Sequence, residues 1–188
     1  MNKKKIAVFA SGSGTNARCI MEYFSQNTLV KVDSVFTNNS KAGVIVHAEA
    51  WQVPCFTFSK ADFYENGKVF HELESRSVDL IVLAGFLWLL PPTFIAHFKI
   101  VNIHPSLLPK YGGKGMYGLR VHQAVIANRE QETGITIHLV DEVYDSGTVL
   151  LQECIPVLAS DSPESLQQRV HALEYKHYPP TIARLLLE

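Results

Sequence analysis

Short apolar runs alternate with amphipathic stretches along the N-terminal half of the chain. Ile6-Ala7-Val8-Phe9-Ala10 is apolar on both faces, the pattern of a strand buried inside a parallel sheet. A small-residue turn, Ser11-Gly12-Ser13-Gly14, follows it. Ala17, Ile20, Met21 and Phe24 then recur at helical spacing. Leu29 to Thr37 reads as a second strand, and the polar Asn38-Asn39-Ser40 suits a turn and a helix cap. The helix opened there runs through Val44, Val46 and Ala50. Val53 to Phe58 reads as a third strand and Asp62 to Ser75 as a third helix. Val78 to Ala84 is the strongest strand, apolar on both faces as a central parallel strand is. This alternation predicts an α/β fold, a doubly wound, mostly parallel, Rossmann-like sheet with right-handed crossovers.

The texture changes after Pro109. Tyr111 to Gly118 reads as a glycine-rich loop and Arg120 to Asn128 as a helix. Thr133 to Val140 and Thr148 to Val157 are strands with no helix between them, which predicts an antiparallel C-terminal strand. Ser162-Pro163-Glu164-Ser165 combines a cap with proline at the first helical position, opening a final helix that carries Val170, Leu173 and Glu174. No repeat, low-complexity segment or linker interrupts the pattern, so residues 1–188 read as one domain.

Composition narrows the function classes. Of 188 residues, 47% are hydrophobic, enough for a substantial core, and the net charge of -1 gives no electrostatic case for nucleic acid or a membrane surface. Lys3-Lys4-Lys5 is a solvated start to the first strand. No long apolar segment follows it, because Ser11-Gly12-Ser13-Gly14 intervenes, so no signal peptide is expected. The longest apolar run, Leu80 to Pro92, is too short to span a bilayer. Cys19, Cys55 and Cys154 are far apart and lack metal-ligand spacing, which predicts a reduced, cytoplasmic protein without disulfides.

Candidate chemistry concentrates in two places. Ser11-Gly12-Ser13-Gly14-Thr15-Asn16 joins the first strand to the first helix, where unpaired backbone N–H groups suit a phosphate. It is neither G-x-G-x-x-G nor a Walker loop, since no lysine stands at the required place, which argues against a nucleoside triphosphate. The second place is Asn102-Ile103-His104-Pro105-Ser106-Leu107-Leu108-Pro109. Alternation sets Asn102 and His104 on one face of a strand end, and the prolines stiffen its exit. Asn102 is a neutral donor for an oxyanion, His104 a proton carrier near neutral pH, and Asp145 a group able to orient the histidine. Asp145-Ser146-Gly147 also fits a plain hairpin turn. Gly85-Phe86-Leu87-Trp88-Leu89-Leu90 fits either core packing or a wall for a flat ring. His138 reads as a satisfied core residue, and Glu174 as part of a solvated helix face.

Together these residues resemble the phosphoribosylglycinamide formyltransferases, the folate-dependent transformylases of de novo purine synthesis. The similarity covers nearly the whole chain: Ser11 to Asn16, Leu83-Ala84-Gly85-Phe86, Asn102 to Pro109, Thr136-Ile137-His138, Asp145-Ser146-Gly147, and Arg169-Val170 with Glu174 and Tyr178-Pro179. The run from Asn102 to Pro109 marks formyltransferases at large, and the Ser11 to Asn16 loop narrows the match to the glycinamide ribonucleotide branch.

The resemblance implies direct formyl transfer from 10-formyltetrahydrofolate, a co-substrate, to the amine of 5-phosphoribosylglycinamide, with no covalent enzyme intermediate and no metal. Asn102 would stabilise the oxyanion, His104 would move protons and Asp145 would hold His104. Ser13, Gly14, Thr15 and Asn16 would hold the ribose phosphate, and Gly85, Pro105 and Glu174 would contact the rest of that substrate. Phe86, Leu87, Trp88, Leu89 and Leu90, with Asn102, Val140, Asp141 and Glu142, would line the pterin pocket. Two features depart from some relatives. Trp88 replaces a basic residue, and the Gly112 to Gly118 loop is longer, with Leu119 where histidine is frequent. Three rivals remain, namely a formyl-methionyl-tRNA maker, a formyltetrahydrofolate hydrolase, and a non-catalytic phosphometabolite sensor. The first two carry added domains, one C-terminal and one N-terminal, whereas here strand one begins by Ile6 and the last residue is Glu188. The resemblance leaves monomer and homodimer open.

Overall fold

The computed structural model describes residues 3–187. Seven strands are ordered β3-β2-β1-β4-β5-β6-β7 in one sheet. They are β1 (Lys4–Phe9), β2 (Val30–Thr37), β3 (Cys55–Thr57), β4 (Leu80–Leu83), β5 (Ile100–His104), β6 (Glu132–Leu139) and β7 (Val149–Pro156). β1 pairs in parallel with both β2 and β4, and β2 with β3. β6 and β7 pair antiparallel, as the missing helix between them predicts. Seven helices are found among the described residues: α1 (Thr15–Phe24), α2 (Val44–Ala50), α3 (Lys60–Tyr64), α4 (Lys68–Ser75), α5 (Pro92–His97), α6 (Leu119–Ala127) and α7 (Pro163–Leu187). The doubly wound, mostly parallel sheet with an antiparallel C-terminal strand is the architecture expected.

Two compact units divide the chain. One runs to Val101 and takes up the chain again from Ile182, and the other is Asn102–Thr181. The boundary falls inside β5, between Val101 and Asn102. The first unit is built on rings: Phe9 stacks on Phe36 at 4.9 Å and meets Phe86 edge-on at 5.3 Å, while Phe63 packs on Phe94 at 5.0 Å. Every residue of β4 is buried, as its unbroken apolar run requires. In the second unit, Val121, Val125 and Leu166 form a core against which Tyr111, Met116 and Ile155 pack. α7 turns Leu166, Val170, Glu174 and Tyr178 inward at four-residue spacing.

Two local expectations need correction, and two further features go beyond the pattern. The helix expected over Asp62 to Ser75 is two helices, because Gly67 adopts a left-handed φ of 65° and starts α4 afresh. Asn38-Asn39-Ser40 turns the chain without capping α2, which begins at Gly43 with no side-chain cap. Asn39 instead closes its own turn, accepting from the Lys41 N–H at 2.9 Å. α5 has no separate signal in the pattern, since Phe94, Ile95 and Ala96 continue the apolar texture that precedes them. α7 runs straight through Pro179 and Pro180, beyond where two prolines would ordinarily end a helix.

Candidate active site

The Asn102–Thr181 unit brings together four polar side chains from three segments. β5 presents Asn102 and His104 on one face, and the loop after β6 returns Asp145 to them. His104 is 4% exposed. Its Nε2 lies 2.7 Å from the Tyr111 carbonyl, and a carbonyl only accepts, so Nε2 carries a proton. Nδ1 faces Asp145 Oδ2 at 3.5 Å. When Nδ1 is also protonated the pair becomes an imidazolium beside a carboxylate. Burial pushes the His104 pKa below its ordinary value and is the largest influence. The Asp145 charge and the Tyr111 carbonyl pull it back up, and His138 adds to the lowering.

Asn102 Nδ2 donates to Asp145 Oδ1 at 3.4 Å and lies 3.1 Å from His138 Nε2. His138 Nδ1 is 2.9 Å from the Leu139 carbonyl, which assigns its proton to Nδ1 and leaves Nε2 to accept from Asn102. The other Asp145 oxygen, Oδ2, accepts the Gly113 N–H at 2.8 Å. Asp145 itself sits at φ 55°, a left-handed conformation enriched at functional sites.

The exit from β5 is held by hydroxyls and an amide. The Ser106 hydroxyl donates to the Lys110 carbonyl at 2.6 Å, and the Thr136 hydroxyl donates to the Ser106 carbonyl at 2.7 Å. Thr136 Oγ1 in turn accepts the Leu108 N–H at 3.0 Å, and Gln152 Nε2 donates to the Leu108 carbonyl at 2.9 Å. The Leu108–Pro109 bond is cis. Pro105 lies half-buried within this frame.

In the first unit, β1 and β4 are neighbours although β2 and β3 intervene in sequence. The strand order therefore reverses at β1, the place where doubly wound sheets bind ligands beyond their strand ends. Ser11 ties the two ends together: its N–H donates to the Gly85 carbonyl at 3.1 Å and its Oγ accepts the Leu87 N–H at 3.1 Å. Gly14 starts α1 at φ 75°, and a Cβ there would lie 2.6 Å from Val44 Cα. The position needs glycine twice over, for its dihedral and for the approach of α2. Ser13 is exposed, and Thr15 and Asn16 are half-buried in the first turn of a helix with no acidic residue there, chemistry suited to an anion.

The other predicted contacts fall as follows. In the segment after β4, Gly85 is exposed, Phe86 and Leu90 are buried, and Leu87 and Leu89 face outward. Trp88 is half-buried against Tyr64, with ring centroids 5.9 Å apart. Core packing and an open wall thus alternate within one segment. Val140 and Asp141 are half-buried and Glu142 is exposed. Asp141 organises its own turn, accepting the Val143 N–H at 2.9 Å and the Ser146 hydroxyl at 3.2 Å. Glu174 corrects the expectation of a solvated face: it is 4% exposed, and His171 Nε2 is 4.0 Å from its Oε2.

Four groups have roles that residue pattern does not announce. His138 is a satisfied core residue as expected, yet its partner is Asn102 and Asp145 Oδ1 is 3.8 Å away. Its position gives a partial signal, since Thr136 and His138 share the face of β6 opposite the buried Ile135 and Ile137. The Tyr111 carbonyl and the Gly113 N–H are backbone groups, which residue identity does not announce. His122, on α6, is fully buried with neither ring nitrogen bonded to any described residue, and burial pushes its pKa down to about 4.

The chain is similar to known proteins along almost its whole length. Residues 4–182 match the formyl transferase family. The chain is 42% identical to a chloroplastic phosphoribosylglycinamide formyltransferase of Vigna unguiculata, with 100% of the chain aligned to 62% of that protein. It is 37% identical to the Bacillus subtilis phosphoribosylglycinamide formyltransferase, over 97% of the chain and 95% of the relative. The crystal structure of a glycinamide ribonucleotide transformylase from Geobacillus kaustophilus superposes with a TM-score of 0.88 at 38% identity, covering 98% of this chain and 100% of that one. The chain thus spans less than two thirds of the Vigna relative and 95% of the Bacillus one. A full-length family match, a shared fold and the meeting of Asn102, His104 and Asp145 lead to one conclusion: the chain belongs to the formyl transferase family.

Proposed function

We propose that this protein transfers a formyl group from 10-formyltetrahydrofolate to the amine of 5-phosphoribosylglycinamide in purine synthesis. The observation that carries this reading is the part-buried meeting of Asn102, His104 and Asp145. It unites an amide donor, a proton carrier and a carboxylate without a nucleophile of the serine or cysteine kind.

The amine attacks the formyl carbon and the carbonyl electrons move onto oxygen, giving a tetrahedral oxyanion. Asn102 Nδ2 donates to that oxygen, releasing the longer of its two bonds, the 3.4 Å contact with Asp145. The attacking nitrogen loses a proton and the folate nitrogen gains one as the carbon–nitrogen bond to folate breaks. His104 carries that proton on Nδ1, because Nε2 is committed to the Tyr111 carbonyl. Asp145 stabilises the imidazolium while it lasts. The anion-suited start of α1, with Ser13, Gly14, Thr15 and Asn16, takes the phosphate, and Gly85, Pro105 and Glu174 contact the remainder of that substrate. The pterin lies against Phe86 to Leu90 and Val140 to Glu142.

The test is formyl transfer from 10-formyltetrahydrofolate in three parallel reactions: with phosphoribosylglycinamide, with charged initiator tRNA and with water alone. Folate consumption that requires phosphoribosylglycinamide and yields its formylated product supports the assignment. Consumption in water alone points to a hydrolase, and consumption that requires tRNA to the initiator branch. Tight phosphometabolite binding without turnover identifies a sensor.

A further inference from the structure

The backbone around Tyr111 grips both members of the His–Asp pair. Its carbonyl takes the proton on His104 Nε2 at 2.7 Å, and two residues later the Gly113 N–H holds Asp145 Oδ2 at 2.8 Å. Tyr111 adopts a φ of 56°, which a bulky residue takes up only when something holds it there. What holds it lies on the far side of its ring. The Tyr111 hydroxyl donates to Glu130 Oε1 at 2.8 Å, and the same carboxylate takes Lys110 Nζ at 3.0 and 3.2 Å. Between the two ends the Tyr111 side chain packs on the Val121, Val125 and Leu166 core. Glu130 stands in the turn after α6 and is not itself among the groups that meet His104.

We infer that Tyr111 and Glu130 form a positioning clasp, which holds the Tyr111 carbonyl on His104 and thereby fixes the imidazole proton on Nε2, leaving Nδ1 as the nitrogen that exchanges protons with substrate. The inference rests on His104 being the proton carrier of the proposed reaction. A neutral imidazole has two tautomers of similar intrinsic energy, and an acceptor on one nitrogen chooses between them. With Nε2–H committed, the basic lone pair belongs to Nδ1, on the Asp145 side. If the carbonyl drifts away, the proton is free to settle on Nδ1, and the ring then has no lone pair where the substrate proton must go. The Glu130 carboxyl is held low by Lys110 and Tyr111, so it stays an acceptor throughout the neutral range.

The test uses Tyr111→Phe, Glu130→Ala, Glu130→Gln and the double variant Tyr111→Phe/Glu130→Ala. Two readings are taken on each: steady-state formyl transfer, and the ring 15N shifts of His104 in the substrate-free protein, assigned by their loss in His104→Ala. Tyr111→Phe and Glu130→Ala should each lower kcat by about tenfold with KM within about twofold, and the double variant should be no worse than either. Both should turn the Nε2–H pattern of His104 into a mixture of tautomers. Glu130→Gln, whose amide oxygen still accepts from the Tyr111 hydroxyl, should recover most of the rate and the wild-type pattern. An unchanged Nε2–H pattern in Tyr111→Phe and Glu130→Ala overturns the clasp, even if melting temperature falls. If His104→Ala keeps full turnover, the catalytic reading of His104 fails, while the 15N pattern still decides whether the clasp exists.

Discussion

The two candidate regions are built by opposite means. The turn from β1 into α1 offers main-chain N–H groups and small side chains, and its shape comes from what is missing, a Cβ at Gly14. The cluster at the end of β5 offers buried and half-buried side chains, each tied to a named partner: His104 to Tyr111 and Asp145, Asn102 to His138 and Asp145. An anion needs a concave ring of donors and little else, so glycine and a helix start suffice. A travelling proton needs a chosen tautomer and a neighbouring charge, so every ring nitrogen must be accounted for. The first region therefore breaks through backbone geometry, and the second through single functional groups.

That contrast orders the expected effects. His104→Ala and Asp145→Ala should each cut kcat by on the order of a hundredfold or more while the melting temperature barely moves. Near-native turnover in either variant would remove the chemical role of the cluster. Gly14→Ala should instead cost about 2–4 kcal/mol of stability in a urea titration, combining a left-handed dihedral with overlap on Val44. A loss under about 1 kcal/mol would mean that the turn relaxes and that glycine is dispensable there.

His122 gives a pH-dependent version of the same contrast, as a buried imidazole with no hydrogen-bond partner among the described residues. Its folded pKa of about 4 lies below the ordinary 6.5, so between those values the unfolded chain binds the proton more readily. Stability contributed by the neutral ring is complete above about pH 6.5 and is lost as pH falls towards 4, by about 3 kcal/mol in all. His122→Leu should flatten that limb of the stability curve, and an unaltered acid limb would assign the loss to other groups. The smallest effect belongs to Asn16→Ala. It should raise KM for the phosphorylated amine several-fold, roughly 1 kcal/mol, and leave KM for the folate unchanged. Equal effects on both substrates would count against an anion site at the start of α1.

Much of this architecture was legible from residue pattern alone. The unbroken apolar runs of β1 and β4 announced buried parallel strands, and the lack of a helix between β6 and β7 announced their antiparallel pairing. Asn102 and His104 were readable as partners because two residues along a strand share a face. The burial of Glu174 was not, because polar and aromatic neighbours on a helix surface look the same whether water or protein covers them. The break at Gly67 was hidden by Val69 and Leu73, which continue the apolar spacing of the helix before it. Asp145 was a candidate only, since a β6–β7 connection of this composition makes an ordinary turn as readily as a site. The Tyr111 and Gly113 contacts lay furthest from view, being made by atoms common to every residue.

That last property shapes what variation can reveal. Substitution libraries exchange side chains, so no variant deletes the Tyr111 carbonyl and only proline deletes the Gly113 N–H. A scan would instead record which side chains tolerate the dihedrals of the stretch between Lys110 and Gly113. Gly113, at φ 92° with open space where a Cβ would go, would score as intolerant for conformational reasons alone. The backbone groups that contact His104 and Asp145 would thus leave the signature of a fastidious turn.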